Sequence, residues 1–130
     1  MKKLIVIPMF LFTLIFSSTS LAGWDSVTQS VDGNNTLYVD FDRIRKNDGF
    51  IYFWVMRNSL KPDESGNSSS RAYYQGDCKI FKSKILSITV FKEQKGRGTG
   101  ETDDTPANWM YPSPHSMHEI LLNSVCDYEK

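Results

Sequence analysis

The chain has 130 residues, with 15 basic and 15 acidic side chains and a formal net charge of zero. That balance excludes the footprint of a nucleic-acid-binding domain, which is normally strongly basic. The length suits one domain with a modest core.

Lys2 and Lys3 precede an apolar run from Leu4 to Phe16, and Ser20-Leu-Ala22 has the small-residue spacing of a cleavage site. The run is shorter than the roughly 20 residues a transmembrane helix needs. Residues 1–22 are read as a secretory signal removed before Gly23, and 23–130 as a single exported domain. Leu21-Ala-Gly23 would suit a lipoprotein signal, but Trp24 stands where the lipid-bearing cysteine would be. The expected location is therefore periplasmic or secreted, with no transmembrane segment in the mature chain. Export also makes the two cysteines legible as a pair, because oxidising compartments favour disulfides. Only one intramolecular pairing exists, Cys78 with Cys126.

In chain order, Val27 to Val31 reads as a short edge strand and Asp32-Gly-Asn-Asn35 as a turn. Thr36 to Phe41 is a second strand, Asp42 to Lys46 a single helical turn, and Asn47-Asp-Gly49 another turn. Phe50 to Ser59 is aromatic and apolar on both sides, as in a central strand covered on each face. Phe50, Tyr52, Phe53 and Trp54 are read as core, with an exposed aromatic patch as the other possibility. Lys61 to Ser70 is polar throughout and reads as a mobile loop.

Strands are expected over 71–81 and 84–91, with Lys82-Ser-Lys84 bending the chain between them. The second is the clearest in the sequence, Leu86, Ile88 and Val90 forming its core side and Ile85, Thr89 and Phe91 the other. The rest of the chain is expected to cover it. Glu93 to Ala107, rich in glycine, reads as a long flexible connection. The one good helix follows Pro112, capped by Ser113 with Pro114 or by Ser116 with Glu119 in a Ser-x-x-Glu box. Met117, Ile120, Leu121, Ser124 and Val125 share its apolar stripe. The fold class is α+β: an antiparallel sheet of about five or six strands packed against one C-terminal helix and closed by one disulfide.

Taken together, these marks resemble the surface-adhesin protein E family of small exported bacterial proteins. The resemblance is carried by Trp24, Leu37-Tyr-Val-Asp40, Ile44-Arg-Lys46, Gly49 and Trp54-Val55. It continues through Asp77-Cys78, Leu86-Ser87, Gly96-x-Gly98 and Trp109-x-x-Pro112, then Ser116, Leu121-Leu122 and Val125-Cys126. It implies an antiparallel sheet on a C-terminal helix with one disulfide, and a role at the bacterial envelope. The adhesin that names the family is lipid-anchored and binds host matrix proteins and plasminogen. Without the lipobox cysteine, surface display does not carry over to this chain, and none of the family's binding residues maps onto it.

No set of residues carries an evident reaction, and no enzyme activity or cofactor is expected. His115 and His118, with Glu119 beside them, are too few for a zinc site, and no metal is assigned. Both thiols are committed to the disulfide, and no Gly-x-Ser-x-Gly occurs. Asp103 and Asp104 lie in a polar loop where nothing raises a carboxyl pKa. Gly96-Arg-Gly-Thr-Gly100 lacks the helix a dinucleotide motif needs.

The one charged feature singled out for binding is Lys92, Lys95 and Arg97, offset by nearby Glu93, Glu101, Asp103 and Asp104. Such a basic tip could meet an acidic protein, a glycosaminoglycan or lipid headgroups. The leading reading is an exported, non-enzymatic binding module that contacts a host extracellular-matrix or bacterial envelope protein. The alternative is a periplasmic inhibitor of an enzyme such as a lysozyme, acting through the 60–70 or 93–107 loop. A hydrolase of envelope polymers would need a deep polar pocket.

Overall fold

The computed structural model describes residues 23–128, and the leader expected over 1–22 lies outside them. One antiparallel sheet runs through the chain. Its strands are β1 (Trp24–Gln29), β2 (Asn35–Asp40), β3 (Arg45–Asn47), β4 (Phe50–Ser59), β5 (Ser69–Asp77), β6 (Lys82–Phe91) and β7 (Gly100–Asp103). The order across the sheet is β1-β2-β4-β5-β6-β7, with β3 pairing with the first residues of β4. A single helix, α1 (Met117–Cys126), closes the chain. The α+β architecture and the Cys78–Cys126 bridge are those expected, and the seven strands, the short β3 and β7 among them, slightly exceed the expected five or six.

The sequence fixes several of these boundaries locally. Asp48 and Gly49 both take positive φ (54° and 84°) between the paired residues Asn47 and Phe50. This is the Asp-Gly two-residue hairpin, whose backbone twist matches that of the strands it joins. The helix starts where the Ser-x-x-Glu box places it. Ser116 Oγ accepts from Glu119 N at 3.1 Å, and the Glu119 carboxylate accepts from His115 N at 2.8 Å. The structure thereby selects Ser116 over Ser113 as the cap.

The centre of the sheet is β4, not the 84–91 strand. Alternate residues of β4 divide between two faces. Ile51, Phe53 and Val55 are buried against Leu121, Leu122 and Val125 of α1, with Val39 and Ile44 completing the core. The apolar stripe of α1 is rotated from the expected one, because Leu122 is fully buried while Ile120 is 44% exposed. Gly76 of β5 makes the close approach possible. A Cβ there would lie 3.0 Å from Ile51 Cγ2 and 3.2 Å from Leu122 Cδ1. The disulfide joins the far end of α1 to the β5–β6 turn, not to the middle of the sheet, with Cα atoms 5.7 Å apart. Closing a loop with a sequence separation of 48 contributes about 4 kcal/mol in the chain-entropy account.

Strand β6 departs from simple alternation. Tyr73 pairs with Ser87 but Tyr74 pairs with Ile85, leaving Leu86 as an extra residue in a bulge. Beyond it Ile88 and Val90 fall on the face of Ile85, while Ser87, Thr89 and Phe91 fall on the other. Leu86, Ile88 and Val90 are half-buried, and Phe91 is the buried apolar residue of the strand. Nor does the chain bend at Lys82-Ser-Lys84, which is already strand; the turn lies just before it, where Phe81 has φ 64°.

The two segments read as flexible are held down. The 60–70 loop closes on Asp63, whose carboxylate accepts from Ser65 N and Asn67 N, and its last two residues start β5. The 93–107 connection contains a 3-10 turn (Gln94–Gly96) and β7, and Ala107 N donates to Ile85 O at 2.8 Å. Buried polar groups tie that turn to the sheet. Asn58 Oδ1 accepts from Lys95 N at 2.6 Å, and Ser69 Oγ accepts from Gly96 N at 2.9 Å. These bonds are made by short polar side chains, so hydropathy carries no trace of them.

Two expected outcomes follow from the docking of α1. Gly76→Ala should lower stability by about 1–3 kcal/mol in urea unfolding of the oxidised protein, because its Cβ overpacks Ile51 and Leu122. His118 joins helix to sheet, its Nε2 lying 2.7 Å from Ser83 Oγ, and burial holds its pKa below the ordinary value. The unfolded chain then binds the proton more readily. Stability should therefore fall as pH drops through about 6.5 toward the folded-state pKa. His118→Gln should remove that part of the acid-side loss, which urea titrations at about pH 7.5 and 5.5 would read.

Candidate binding surface

With one helix available, only one face of the sheet is covered by packing. The opposite face is built from the other half of each strand: Phe50, Tyr52 and Trp54 of β4, Arg71 and Tyr73 of β5, and Thr89 of β6. At one end the 3-10 turn covers it, burying Met56, Asn58 and Phe91. Elsewhere it lies open, and its aromatic side chains are half-buried. Among the four aromatics read as core, Phe53 is core and the other three belong to this second face.

The aromatics are mutually supported. The Trp54 and Tyr73 rings are 4.8 Å apart, and Tyr52 stacks on Tyr73 at 6.1 Å. Trp24 and Arg43 border Trp54, Arg71 and Thr89 in a shallow open depression. Toward the other end Trp109 stacks on Phe50 at 5.9 Å, held there by the pairing of Met110 with Ser83. The three tryptophans of the chain, from its beginning, middle and end, thus lie along one face.

Cations are interleaved with these rings. Lys82 and Lys84 place their ammonium groups 4.6 Å and 4.9 Å from the centre of the Trp109 ring. Arg45 donates through Nη2 to the Tyr73 hydroxyl at 3.4 Å, and the Arg71 guanidinium lies 5.0 Å over Phe91. Among the described residues the one ion pair is Arg43 with the buried Asp40, at 3.3 Å. Arg45, Arg71, Lys82 and Lys84 therefore carry charge that no carboxylate of the fold neutralises by direct contact.

The cationic residues singled out in the sequence lie elsewhere. Lys92 Nζ donates to Ser65 O at 2.9 Å, and Arg97 Nε donates to Gln94 O at 3.3 Å. Lys95 sits in the 3-10 turn with φ 62°. Lys95 is tied through its backbone N to Asn58, and among the described residues none of the three is ion-paired. Asp103 accepts from Thr105, which lowers its carboxyl pKa as its loop position leads one to expect. Asp104 accepts from Ser87 Oγ at 2.9 Å. Among the described residues no three His, Cys, Asp or Glu side chains are grouped to hold a metal ion. No helix among them is long and apolar enough to cross a membrane.

An exposed aromatic patch was one of the two readings the sequence left open; the cations among the rings were not foreseen, and a signal that decides between the readings existed. A chain with one amphipathic helix cannot cover both sides of a wide sheet, so an aromatic strand apolar on both sides must present one of them to solvent.

Comparison with known structures returns the same fold. Crystal form II of Haemophilus influenzae protein E matches with a TM-score of 0.59 and 15% identity, over 93% of this chain and 96% of that one. The selenomethionine form of the same protein gives a TM-score of 0.58 and 14% identity, over 94% and 92%. Protein E from non-typeable H. influenzae gives 0.56 and 14%, over 92% and 82%. A comparison with curated proteins returns no match. The sequence pattern of the family described as Surface-adhesin protein E matches residues 24–127. The chain belongs to the surface-adhesin protein E family.

Proposed function

We propose that the protein is an exported, non-enzymatic binding module of the bacterial envelope, periplasmic or secreted. It contacts host extracellular-matrix or envelope macromolecules through the aromatic–cationic face of its sheet. The observation that carries this reading is the half-exposed Trp54–Tyr73 pair, flanked by Arg45 and Arg71, on the side that α1 leaves open. Exposed aromatic and arginine side chains are the types most enriched at the centres of binding interfaces. Family membership supports the same class of function.

The inhibitor reading draws less support from the fold. Its two candidate wedges, the 60–70 and 93–107 segments, are tied to each other or laid along the sheet through Lys92, Asn58 and Ser69. A hydrolase finds little more, since the depressions on this face are open and hold no convergent catalytic groups among the described residues.

Biolayer interferometry against purified matrix proteins and against envelope extracts tests the proposal. A saturable partner is expected, and Trp54→Ala or Tyr73→Ala should weaken it by about tenfold or more while the disulfide and the far-ultraviolet spectrum are retained. Absence of any saturable partner in either source, or equal binding by both variants, would contradict it.

A further inference from the structure

The binding face has a chemistry specific enough to name a ligand class, and this step rests on the proposal that the face is the contact surface. We propose that it recognises an acidic polysaccharide chain, laid along the strands and held by ring stacking and by its sulfate or carboxylate groups.

Shape gives the first reason. The face carries open depressions beside Tyr52, Trp54 and Tyr73 and no closed pocket among the described residues. Flat aromatic platforms suit the flat apolar faces of sugar rings. Thr89 and Thr102, whose hydroxyls lie 2.7 Å apart, add exposed polar groups beside the rings for sugar hydroxyls.

Charge gives the second reason. Arg45 and Arg71 flank the Trp54–Tyr73 pair, while Lys82 and Lys84 flank Trp109, and all four lack an ion-pair partner. Of the carboxylates on this side, Asp40 is paired with Arg43, Asp104 accepts from Ser87 Oγ, and Asp77, opposite Lys82 in the ladder, accepts from Lys79 N and Ile80 N. Guanidinium forks match sulfate and carboxylate oxygens in pairs, and ammonium groups act as point charges.

Spacing gives the third. Lys84 and Arg45 lie in one cross-strand row through Gln75 and Tyr52, and Arg71 lies four residues along β5 from Gln75, so the Arg71 level and the Arg45–Lys84 level are about 13 Å apart at the strand rise. One anionic group cannot reach both, whereas a chain with an anion on successive units can. Nucleic acid would also offer rings and anions, and the single-stranded oligonucleotide in the test separates it from a polysaccharide.

Titration of the oxidised protein by calorimetry, with heparin oligosaccharides at low and at physiological salt, tests this. Hyaluronan, fully desulfated heparin, uncharged dextran, polyglutamate and a single-stranded oligonucleotide complete the set. Saturable binding to heparin is expected, weakened by salt and lost with dextran. Binding that survives in hyaluronan or desulfated heparin assigns carboxylate recognition; binding to heparin alone assigns sulfate. Arg71→Glu, Lys84→Glu and Trp54→Ala should each weaken it by about tenfold or more, while Lys61→Glu, in the loop after β4, should not.

Three results would overturn the proposal: no saturable heparin binding at low salt, indifference to Trp54→Ala and the charge reversals, or equal binding of polyglutamate or the oligonucleotide. If a matrix or envelope partner binds through Trp54 and Tyr73 while heparin neither binds nor competes, the ligand class alone fails. If no partner of any kind binds, the contact surface itself is wrong.

Discussion

The contact on which the rest of the structure depends is the docking of α1 across β1 and β4, with Gly76 of β5 beside it. Leu121, Leu122 and Val125 bury themselves against Ile51, Phe53 and Val55, and the missing side chain at Gly76 lets Leu122 come close. Burial of three aliphatic side chains contributes several kcal/mol at about 1.5–3 kcal/mol each. The disulfide acts on the same arrangement from outside, tying the last residue of the helix to the β5–β6 turn. A domain of this size has a limited core, so a cross-link at the end of its only helix matters more than it would in a larger one.

One helix on one side leaves the sheet two-faced, and the alternation of side chains turns that asymmetry into chemistry. Neighbouring residues part company across it: Tyr74, packed against the core, stacks on the buried Phe53, while Trp54 and Tyr73 meet on the open face. Burial pushes the Tyr74 phenol up, as its position beneath the helix requires. The 3-10 turn over Met56 and Phe91 covers one end of the open face, its Lys95 and Gly96 N–H groups donating to Asn58 and Ser69. What remains uncovered is the stretch in which tryptophan, tyrosine and unpaired cations alternate. A scaffold held rigid on one side can present such a stretch without the entropic loss of ordering a loop on binding.

Much of this was legible in the sequence because it depends on short-range signals. The turn at Asp48-Gly49, a helix start at Ser113 or Ser116 and the pairing of two cysteines need only nearby residues or simple counting. The helical turn read over Asp42 to Lys46, by contrast, is a 3-10 turn at Phe41–Arg43 followed by strand β3. The bulge at Leu86 was not legible, because an inserted residue in an otherwise alternating strand changes faces without changing composition. Strand β7 was hidden too: Gly100-Glu-Thr-Asp103 is polar, and it forms because the turn at Gln94–Gly96 is tied back to the sheet. The rotation of α1, with Leu122 inside and Ile120 outside, follows from where Gly76 opens a gap, which no helical period reveals. The open face was left undecided by its own residues, since half-exposed aromatics read equally as core or as an exposed patch until the number of covering helices is counted.

The division of the sheet into a packed face and an open one is tested most directly by hydroxyl-radical footprinting of the oxidised protein, read residue by residue by mass spectrometry. Trp54 and Tyr73 should be oxidised readily while their immediate neighbours Phe53 and Tyr74 are protected. Equal modification of the two pairs, or protection of Trp54 and Tyr73 with Phe53 and Tyr74 exposed, would contradict the account.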